Sequence, residues 1–70
     1  GNTVRAPLSG RVMSIKVKVG DIIKKGTVIA VLESMKTYVE VRSPRDGKVK
    51  EILVKEGDTV KTNQPILVLV

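Results

Sequence analysis

The sequence contains no cysteine and no histidine, and both absences exclude broad classes of functional site. Without cysteine the chain can form neither a disulfide nor a thiolate metal site. Without histidine it lacks the most common general base and the most common metal ligand. The seven carboxylates are not spaced as a catalytic pair. We therefore expect no metal site, no catalytic residue and no independent enzyme activity.

Aromatic residues are scarce, and long apolar runs are absent. There is no Phe or Trp, and Tyr38 is the single tyrosine. A core must then be built from Val, Ile and Leu, of which the β-branched Val and Ile favour strands. No apolar run approaches the roughly 20 residues of a membrane span, and no signal-like segment opens the chain. We expect no direct membrane insertion and a cytoplasmic location, or the mitochondrial matrix in a eukaryote. Gly1 in place of an initiator Met suggests an excised or processed module.

The charge balance is basic, with a net charge of +6 at neutral pH. Such a charge raises the question of a nucleic-acid partner. Single-strand binding relies on aromatic side chains that stack on bases, and only Tyr38 could supply one. Carboxylates are interleaved with the cations, which recur at equivalent offsets in the two halves of the chain. We interpret the lysines as a solvated surface that discourages strand edges from pairing, and expect no nucleic-acid partner.

An internal repeat is the most informative positive feature. Shifting the chain by 37 positions places Gly20-Asp21 on Gly57-Asp58, and the register holds without a gap across a whole half. Such a register indicates two copies of one supersecondary unit. Neither copy is long enough to close a core alone. The halves 4–33 and 41–70 are therefore expected to pack on each other about a pseudo-twofold axis, within one domain of residues 1–70.

Each half is predicted to form short strands separated by turns. In both long strands the inward-facing residues step by three, from Val12 to Ile15 and from Val49 to Ile52. Strict alternation has a period of two, so a step of three predicts a bulge or a sharp bend. The sequence thus predicts an all-β flattened barrel or sandwich without helices. Its expected strands cover residues 4–6, 11–19, 22–23, 28–33, 42–43, 48–54, 59–60 and 66–70.

The connector, residues 34–40, has no counterpart in the repeat. We expect it to be an exposed turn between strands that end at Leu32-Glu33 and begin at Tyr38-Val39, with Lys36 at its tip. A lysine in water is mostly protonated and a poor nucleophile, and a catalytic lysine needs burial or a neighbouring cation. Lys36 is therefore predicted to be modified by another enzyme. Tyr38 is interpreted as a cross-strand packing residue.

These motifs together resemble the biotinyl/lipoyl attachment domains. The resemblance spans about Thr3 to Val70 and rests on three stretches: Ala6-Pro7-Leu8-Ser9-Gly10, Val17-Lys18-Val19-Gly20-Asp21 and Glu33-Ser34-Met35-Lys36. It implies a barrel-sandwich hybrid of two four-stranded sheets. It also implies that the hairpin lysine, Lys36, carries biotin or lipoate in amide linkage.

The residues around Lys36 distinguish the two cofactors. Biotin carriers of this family typically have Met on both sides of the lysine, whereas lipoyl domains have Asp before it and Ala after it. Met35 is similar to the biotin carriers, while Thr37 matches neither pattern. The resemblance therefore implies biotin, with lipoate as the alternative. It also implies that Glu33, Ser34, Met35 and Thr37 serve recognition by the ligase, although Glu33 could instead pair with a nearby lysine.

The function implied is that of a biotin carboxyl carrier domain of the kind without a thumb insertion. Its implied partners are biotin protein ligase and the biotin carboxylase and carboxyltransferase domains or subunits of a carboxylase, decarboxylase or transcarboxylase. Two alternatives stay open. One is a lipoyl carrier domain of a 2-oxoacid dehydrogenase-type complex, and the other is an unmodified structural module of the same fold, as in membrane-fusion proteins.

Overall fold

The computed structural model describes residues 2–70, so Gly1, the first residue of the predicted domain, lies outside the described part. Within that part the chain forms eight strands and no helix. Accordingly, it holds no helix of the length and hydropathy needed to cross a bilayer. The strands are β1 (Thr3–Arg5), β2 (Gly10–Ile15), β3 (Ile22–Ile23), β4 (Val28–Ser34), β5 (Thr37–Arg42), β6 (Gly47–Ile52), β7 (Thr59–Val60) and β8 (Pro65–Leu69).

The strands form two antiparallel four-stranded sheets, in the orders β1-β8-β6-β3 and β5-β4-β2-β7. The extents of 31 × 19 × 19 Å describe an elongated body. The predicted fold class is confirmed: the domain is all-β and built from two four-stranded sheets. Each sheet takes two strands from the first half of the chain and two from the second, so the halves are intertwined rather than side by side.

The hydrogen bonds of the two halves correspond at the offset of 37 residues. The Gly20 N–H donates to the Val49 carbonyl at 2.8 Å, and the Gly57 N–H donates to the Val12 carbonyl at 2.7 Å. The strands at the chain ends correspond in the same way. β1 pairs with β8 in the same register as β5 pairs with β4, so that Val4 opposite Leu67 corresponds to Val41 opposite Ala30. The Leu69 N–H donates to the Asn2 carbonyl at 2.7 Å. The pseudo-twofold axis thus relates the β4–β5 hairpin to the place where the two chain ends meet.

Both predicted bulges are present. The β2–β4 register shifts between Val12 and Ser14, and the β6–β8 register shifts between Val49 and Glu51. A bulge bends its strand and increases the local twist. Two bulges at equivalent positions therefore curl both sheets over the shared core.

The long strands end earlier than predicted. The second strand was expected over 11–19 and ends at Ile15, and its counterpart, expected over 48–54, ends at Ile52. The physical reason is that the chain changes sheets here. The Lys16 N–H still donates to the Ile29 carbonyl, whereas the Gly20 N–H donates to Val49 in the other sheet. Residues 16–19 and 53–56 are therefore crossings between sheets, not strand extensions.

The apolar core between the sheets is built from aliphatic side chains, as the composition predicts. Ser43 is the one buried polar residue in the described part, and its hydroxyl donates to the Arg45 carbonyl at 2.6 Å. Val17 and Val54 occupy the two crossings and belong to the core. The buried apolar residues are Val4, Ala6, Val12, Val17, Ile23, Ile29, Ala30, Leu32, Val41, Val49, Val54, Val60, Ile66, Leu67 and Leu69.

A fragment of residues 1–37 is expected to be largely unfolded on its own. In this fragment β4 keeps β2 but loses β5, and β1 and β3 lose their only neighbouring strands, β8 and β6. The remaining burial is too small to offset the conformational entropy of ordering the chain. Circular dichroism during urea titration tests this, with a mixture of 1–37 and 38–70 as the control for reassembly. A cooperative transition in 1–37 alone would contradict the intertwined core.

Candidate functional site

The site predicted from the sequence lies at the tip of the β4–β5 hairpin. The last paired residues are Ser34 on β4 and Thr37 on β5, which leaves Met35 and Lys36 as the whole turn. The turn was expected to lie between strands that end at Glu33 and begin at Tyr38, and each strand is one residue longer, since Ser34 belongs to β4 and Thr37 to β5. The expectation of a short strand over residues 42–43 is wrong, because β5 runs from Thr37 to Arg42 and continues the antiparallel register of β4 up to the turn.

The backbone of the turn is left-handed at both central residues. Met35 has φ 50° and Lys36 has φ 64°. Positive φ at both central residues is the signature of a type I′ turn, whose twist matches that of the flanking strands. Such turns usually contain Asn-Gly or Asp-Gly, because other side chains are disfavoured there. Met35 and Lys36 are thus poor residues for this turn, which indicates that something other than folding requires them.

The side chains of the turn point away from the core. Met35 is 96% exposed, Lys36 and Thr37 are exposed, and Ser34 is half-buried. No pocket was found in the described part of the chain, and Lys36 lies in the two-residue turn at the end of the β4–β5 hairpin. Such a tip does not enclose a substrate. It can instead enter the active site of another protein, which fits an amine that is acylated by a separate enzyme.

Glu33 lies in a row of outward-facing residues that crosses the sheet below the turn. Its neighbours are Tyr38 on β5 and Arg11 on β2, and Arg11 has Thr59 on β7 as its other neighbour. Tyr38 is therefore cross-strand, as predicted, but it is 62% exposed and does not pack into the core. The described part of the chain contains one side-chain ion pair, between Arg42 and Glu40, and Glu33 takes no part in it. The alternative that Glu33 pairs with a lysine is thus not realised among the described residues.

Arg11 is the residue of this row that the sequence reasoning missed. The sequence treats it as one of many solvated cations, because 22 positions separate it from Glu33. Only the β2–β4 register places it directly opposite Glu33. Directly opposed opposite charges on one sheet face attract each other modestly.

Gly10 fixes the spacing of the two strands beneath the turn. A Cβ atom at this position would lie 2.5 Å from the Glu33 carbonyl oxygen, a distance that real Cβ atoms do not reach. A side chain at position 10 would therefore push the end of β4 away from β2. The close approach of these strands at the base of the hairpin depends on glycine.

Met35→Asn is expected to stabilise the fold and to slow the modification of Lys36 that the family resemblance implies. Asn tolerates the left-handed conformation better than Met, so we expect a gain of about 0.5–1 kcal/mol in the free energy of unfolding. The exposed thioether contributes no burial, so its loss costs the fold nothing. Urea titration measures the first effect and a biotin-ligase rate assay the second. A loss of stability would show that Met35 has a packing role. An unchanged rate of biotinylation would show that the ligase does not recognise the Met35 side chain.

Comparisons with known proteins agree on one family. The model of the biotin/lipoyl family, described as "Biotin-requiring enzyme", matches residues 2–69. Over 39 residues the chain is 41% identical to the methylmalonyl-CoA decarboxylase subunit gamma of Veillonella parvula. Over the same length it is 44% identical to the glutaconyl-CoA decarboxylase subunit gamma of Acidaminococcus fermentans. These matches cover 56% of this chain but only 30% and 27% of the two subunits, less than a third of each.

Solved structures show the same fold within much larger proteins. One is a urea carboxylase from Kluyveromyces lactis, with a TM-score of 0.91 and 32% identity over 97% of this chain. Another is a single-chain, multi-domain long-chain acyl-CoA carboxylase, with a TM-score of 0.89 and 32% identity over 94% of this chain. The chain corresponds to 6% and 7% of those proteins, respectively.

Proposed function

The chain belongs to the family of biotin/lipoyl domains, and on this premise we propose that it is a biotin carboxyl carrier domain with biotin attached covalently to Lys36. The observation that carries the proposal is the turn itself. Two residues that the backbone disfavours, Met35 and Lys36, are held exposed at the tip of a paired two-stranded hairpin. A lysine offered in this way to another protein suits modification, not catalysis within this domain.

The residues around Lys36 fit the attachment of biotin. Attachment requires an accessible primary amine, and Lys36 is exposed in the turn, beside the exposed Met35. The Lys36 nitrogen, once deprotonated in the ligase active site, attacks the activated carboxyl carbon of biotin. An amide bond forms, the activating group leaves, and the lysine proton passes to a base of the ligase. Glu33, Ser34, Met35 and Thr37 are the residues that the ligase would contact on either side of this nitrogen.

The domain then acts by presentation. When bound, biotin supplies a ring that accepts a carboxyl group at one active site and releases it at another. The paired strands β4 and β5 keep the attachment point rigid and away from the core. Tethering replaces diffusion with a high effective concentration at each active site. The partners are thus biotin protein ligase together with the biotin carboxylase and carboxyltransferase components of one enzyme.

Decarboxylase and carboxylase relatives support biotin over lipoate. The direct test is intact-mass measurement of the chain after incubation with biotin ligase, biotin and ATP. We expect a gain of one biotinyl group per chain, and no gain in a parallel incubation with lipoate ligase, lipoate and ATP. An unchanged mass in the first incubation, or efficient lipoylation in the second, would overturn the proposal.

Met35→Asp is expected to move the preference from biotin towards lipoate. Met35 is almost fully exposed, so the substitution changes the surface that a ligase would contact without disturbing the core. The ratio of biotinylation to lipoylation rates, measured by mass spectrometry, should fall. Thr37→Met is the matched control, because it gives Lys36 a second Met neighbour and should leave biotinylation intact or faster. An unchanged ratio in Met35→Asp would show that residues beyond the turn choose the cofactor.

A further inference from the structure

Apart from Met35 and Tyr38 in the hairpin, the large apolar side chains that stay exposed lie along β6. They are Val19, Ile22, Leu53 and Val70, which are exposed by 63%, 77%, 43% and 65%, respectively. We call these four residues the β6 surface. Apolar side chains scattered singly over a protein need no explanation, but several gathered on one face suggest an interaction site.

Hydrogen bonds place two of these residues on either side of Lys48, which lies on β6. Lys48 and Val70 exchange backbone hydrogen bonds of 3.2 and 2.8 Å, and Ile22 on β3 is the partner of Lys48 on the opposite side. Residues directly opposite each other in antiparallel strands share a face. Ile22 and Val70 therefore flank Lys48 on the outer face, two strand spacings or about 10 Å apart.

The other two residues border the same strand. Val19 precedes Gly20, whose N–H donates to the Val49 carbonyl on β6 at 2.8 Å. Leu53 directly follows β6. Because Ile52 packs against the core, the alternation of side chains turns Leu53 outwards.

The internal repeat provides a control for what the fold itself requires. All four equivalent positions in the other half, at the offset of 37, carry polar side chains: Glu56, Thr59, Lys16 and Glu33 in place of Val19, Ile22, Leu53 and Val70, respectively. Both sets occupy the same places in the same topology, so folding accepts polar residues there. Folding therefore does not require the apolar side chains of the β6 surface.

The β6 surface is also basic at its edges. Exposed lysines lie between or beside its members, at Lys18, Lys48, Lys50 and Lys55. Among the neighbouring carboxylates, that of Asp21 accepts the Lys18 backbone N–H at 2.9 Å and so closes its own turn, while the exposed Glu51 on β6 offsets one of the four lysine charges. A partner that covers this surface should therefore be apolar at its centre and carry carboxylates around it.

The pseudo-twofold axis separates this surface from Lys36. Val70 is the counterpart of Glu33, which lies in the row below the modification turn, so the two rows are at symmetry-related places in different sheets. A partner bound to β6 would hold the domain from the side of the chain ends and leave the hairpin free to move between active sites.

We propose that the β6 surface docks onto another component of the same biotin-dependent enzyme, through an apolar area on that component that is bordered by carboxylates. This proposal rests on the proposed function, which requires such a component. The same fold also occurs in a multi-domain acyl-CoA carboxylase and in a urea carboxylase, where it makes up 7% and 6% of the chain.

The test exchanges residues between the two halves. Ile22→Thr with Val70→Glu installs the side chains that the fold already accepts at the equivalent positions. The matched control, Thr59→Ile, makes the opposite change on the other sheet. The affinities of the purified biotin carboxylase component and of the purified carboxyltransferase component for each chain are measured separately, without biotin attached. One component should bind the unaltered chain and the control equally, and the double variant at least about tenfold more weakly. Binding should also weaken with added salt.

Each alternative has a distinct outcome. Equal affinities for the double variant and the unaltered chain, or no binding of either component to the unaltered chain, would overturn the docking proposal. Sedimentation that shows a dimer of the unaltered chain and a monomer of the double variant would also overturn it, in favour of a second copy as the occupant. Failure of the proposed function would appear separately, as an unchanged mass of the unaltered chain after treatment with biotin ligase.

Discussion

Lys36→Arg should abolish biotin incorporation completely. Arginine keeps the positive charge and the length of the side chain, but its guanidinium does not form the amide that attaches the cofactor. The backbone of the turn should persist, since Arg has the same left-handed penalty as Lys. Intact-mass measurement after exhaustive incubation with biotin ligase, biotin and ATP would show one added group on the unaltered chain and none on the variant.

Matched controls test whether the position of Lys36, and not merely the presence of a lysine, determines biotinylation. Lys55→Arg and Lys61→Arg make the same change at exposed lysines that lie away from the hairpin. Both should be biotinylated to completion, at the rate of the unaltered chain. If Lys36→Arg gained a biotinyl group on another lysine to a similar extent, the assignment of the turn as the attachment site would be wrong.

Leu32→Ala should remove most of the stability of the domain. Leu32 is fully buried on β4, and replacing a fully buried Leu by Ala costs about 2–5 kcal/mol through lost burial and the cavity left behind. A domain of this size has a free energy of unfolding near the lower end of the usual range, roughly 5 kcal/mol. Urea titration of the isolated chain, followed by circular dichroism, measures the change.

Two further Leu→Ala variants test the reason for that loss. Leu69 is the pseudo-symmetric counterpart of Leu32 and equally buried, so Leu69→Ala should cost a similar amount. Leu53→Ala makes the same chemical change at a residue that is 43% exposed, and should cost less than about 1 kcal/mol. A cost for Leu53→Ala as large as that for Leu32→Ala would contradict the packing of the core.

The repeat explains why so much of this fold could be predicted. Register, turn residues and bulges each occur twice, so every inference from one half could be checked against the other. Gly20-Asp21 and Gly57-Asp58 illustrate this. In both, the aspartate accepts the N–H three residues earlier at 2.9 Å, and the glycine has φ near +95°. These interactions are local in sequence, which is why residue types alone predict them.

The ends of the strands could not be predicted in the same way, because they depend on non-local hydrogen bonds. Nothing in residues 16–19 marks the point where pairing passes from β4 in one sheet to β6 in the other. Val17 continues an apolar pattern through the crossing because it is buried there, and this made the strand look longer than it is. Burial and strand pairing usually coincide, but they separate where a chain changes sheets.

The site shows the same division. The sequence places Lys36 at a hairpin tip, and the structure has it there, because a unique segment between two repeats must connect them. The sequence could not reveal that the turn contains only two residues, nor that Arg11 lies opposite Glu33, since strand register decides both. The β6 surface could have been detected from the sequence, because each of its apolar residues has a polar counterpart 37 positions away.

Because the chain ends meet beside β8, the strands could follow one another in a different order along the chain while the fold stayed the same. Asn2 and Leu69 are hydrogen-bonded at the place that corresponds to the hairpin. A circular permutant that joins Val70 to Gly1 through a second Ser-Met-Lys-Thr link would therefore need no rearrangement of either sheet. If the chain were reopened in an exposed loop, it would carry two copies of the Met35-Lys36 turn at symmetry-related places. Cutting the permutant at the original hairpin instead would move the single copy of that turn to the opposite end of the barrel.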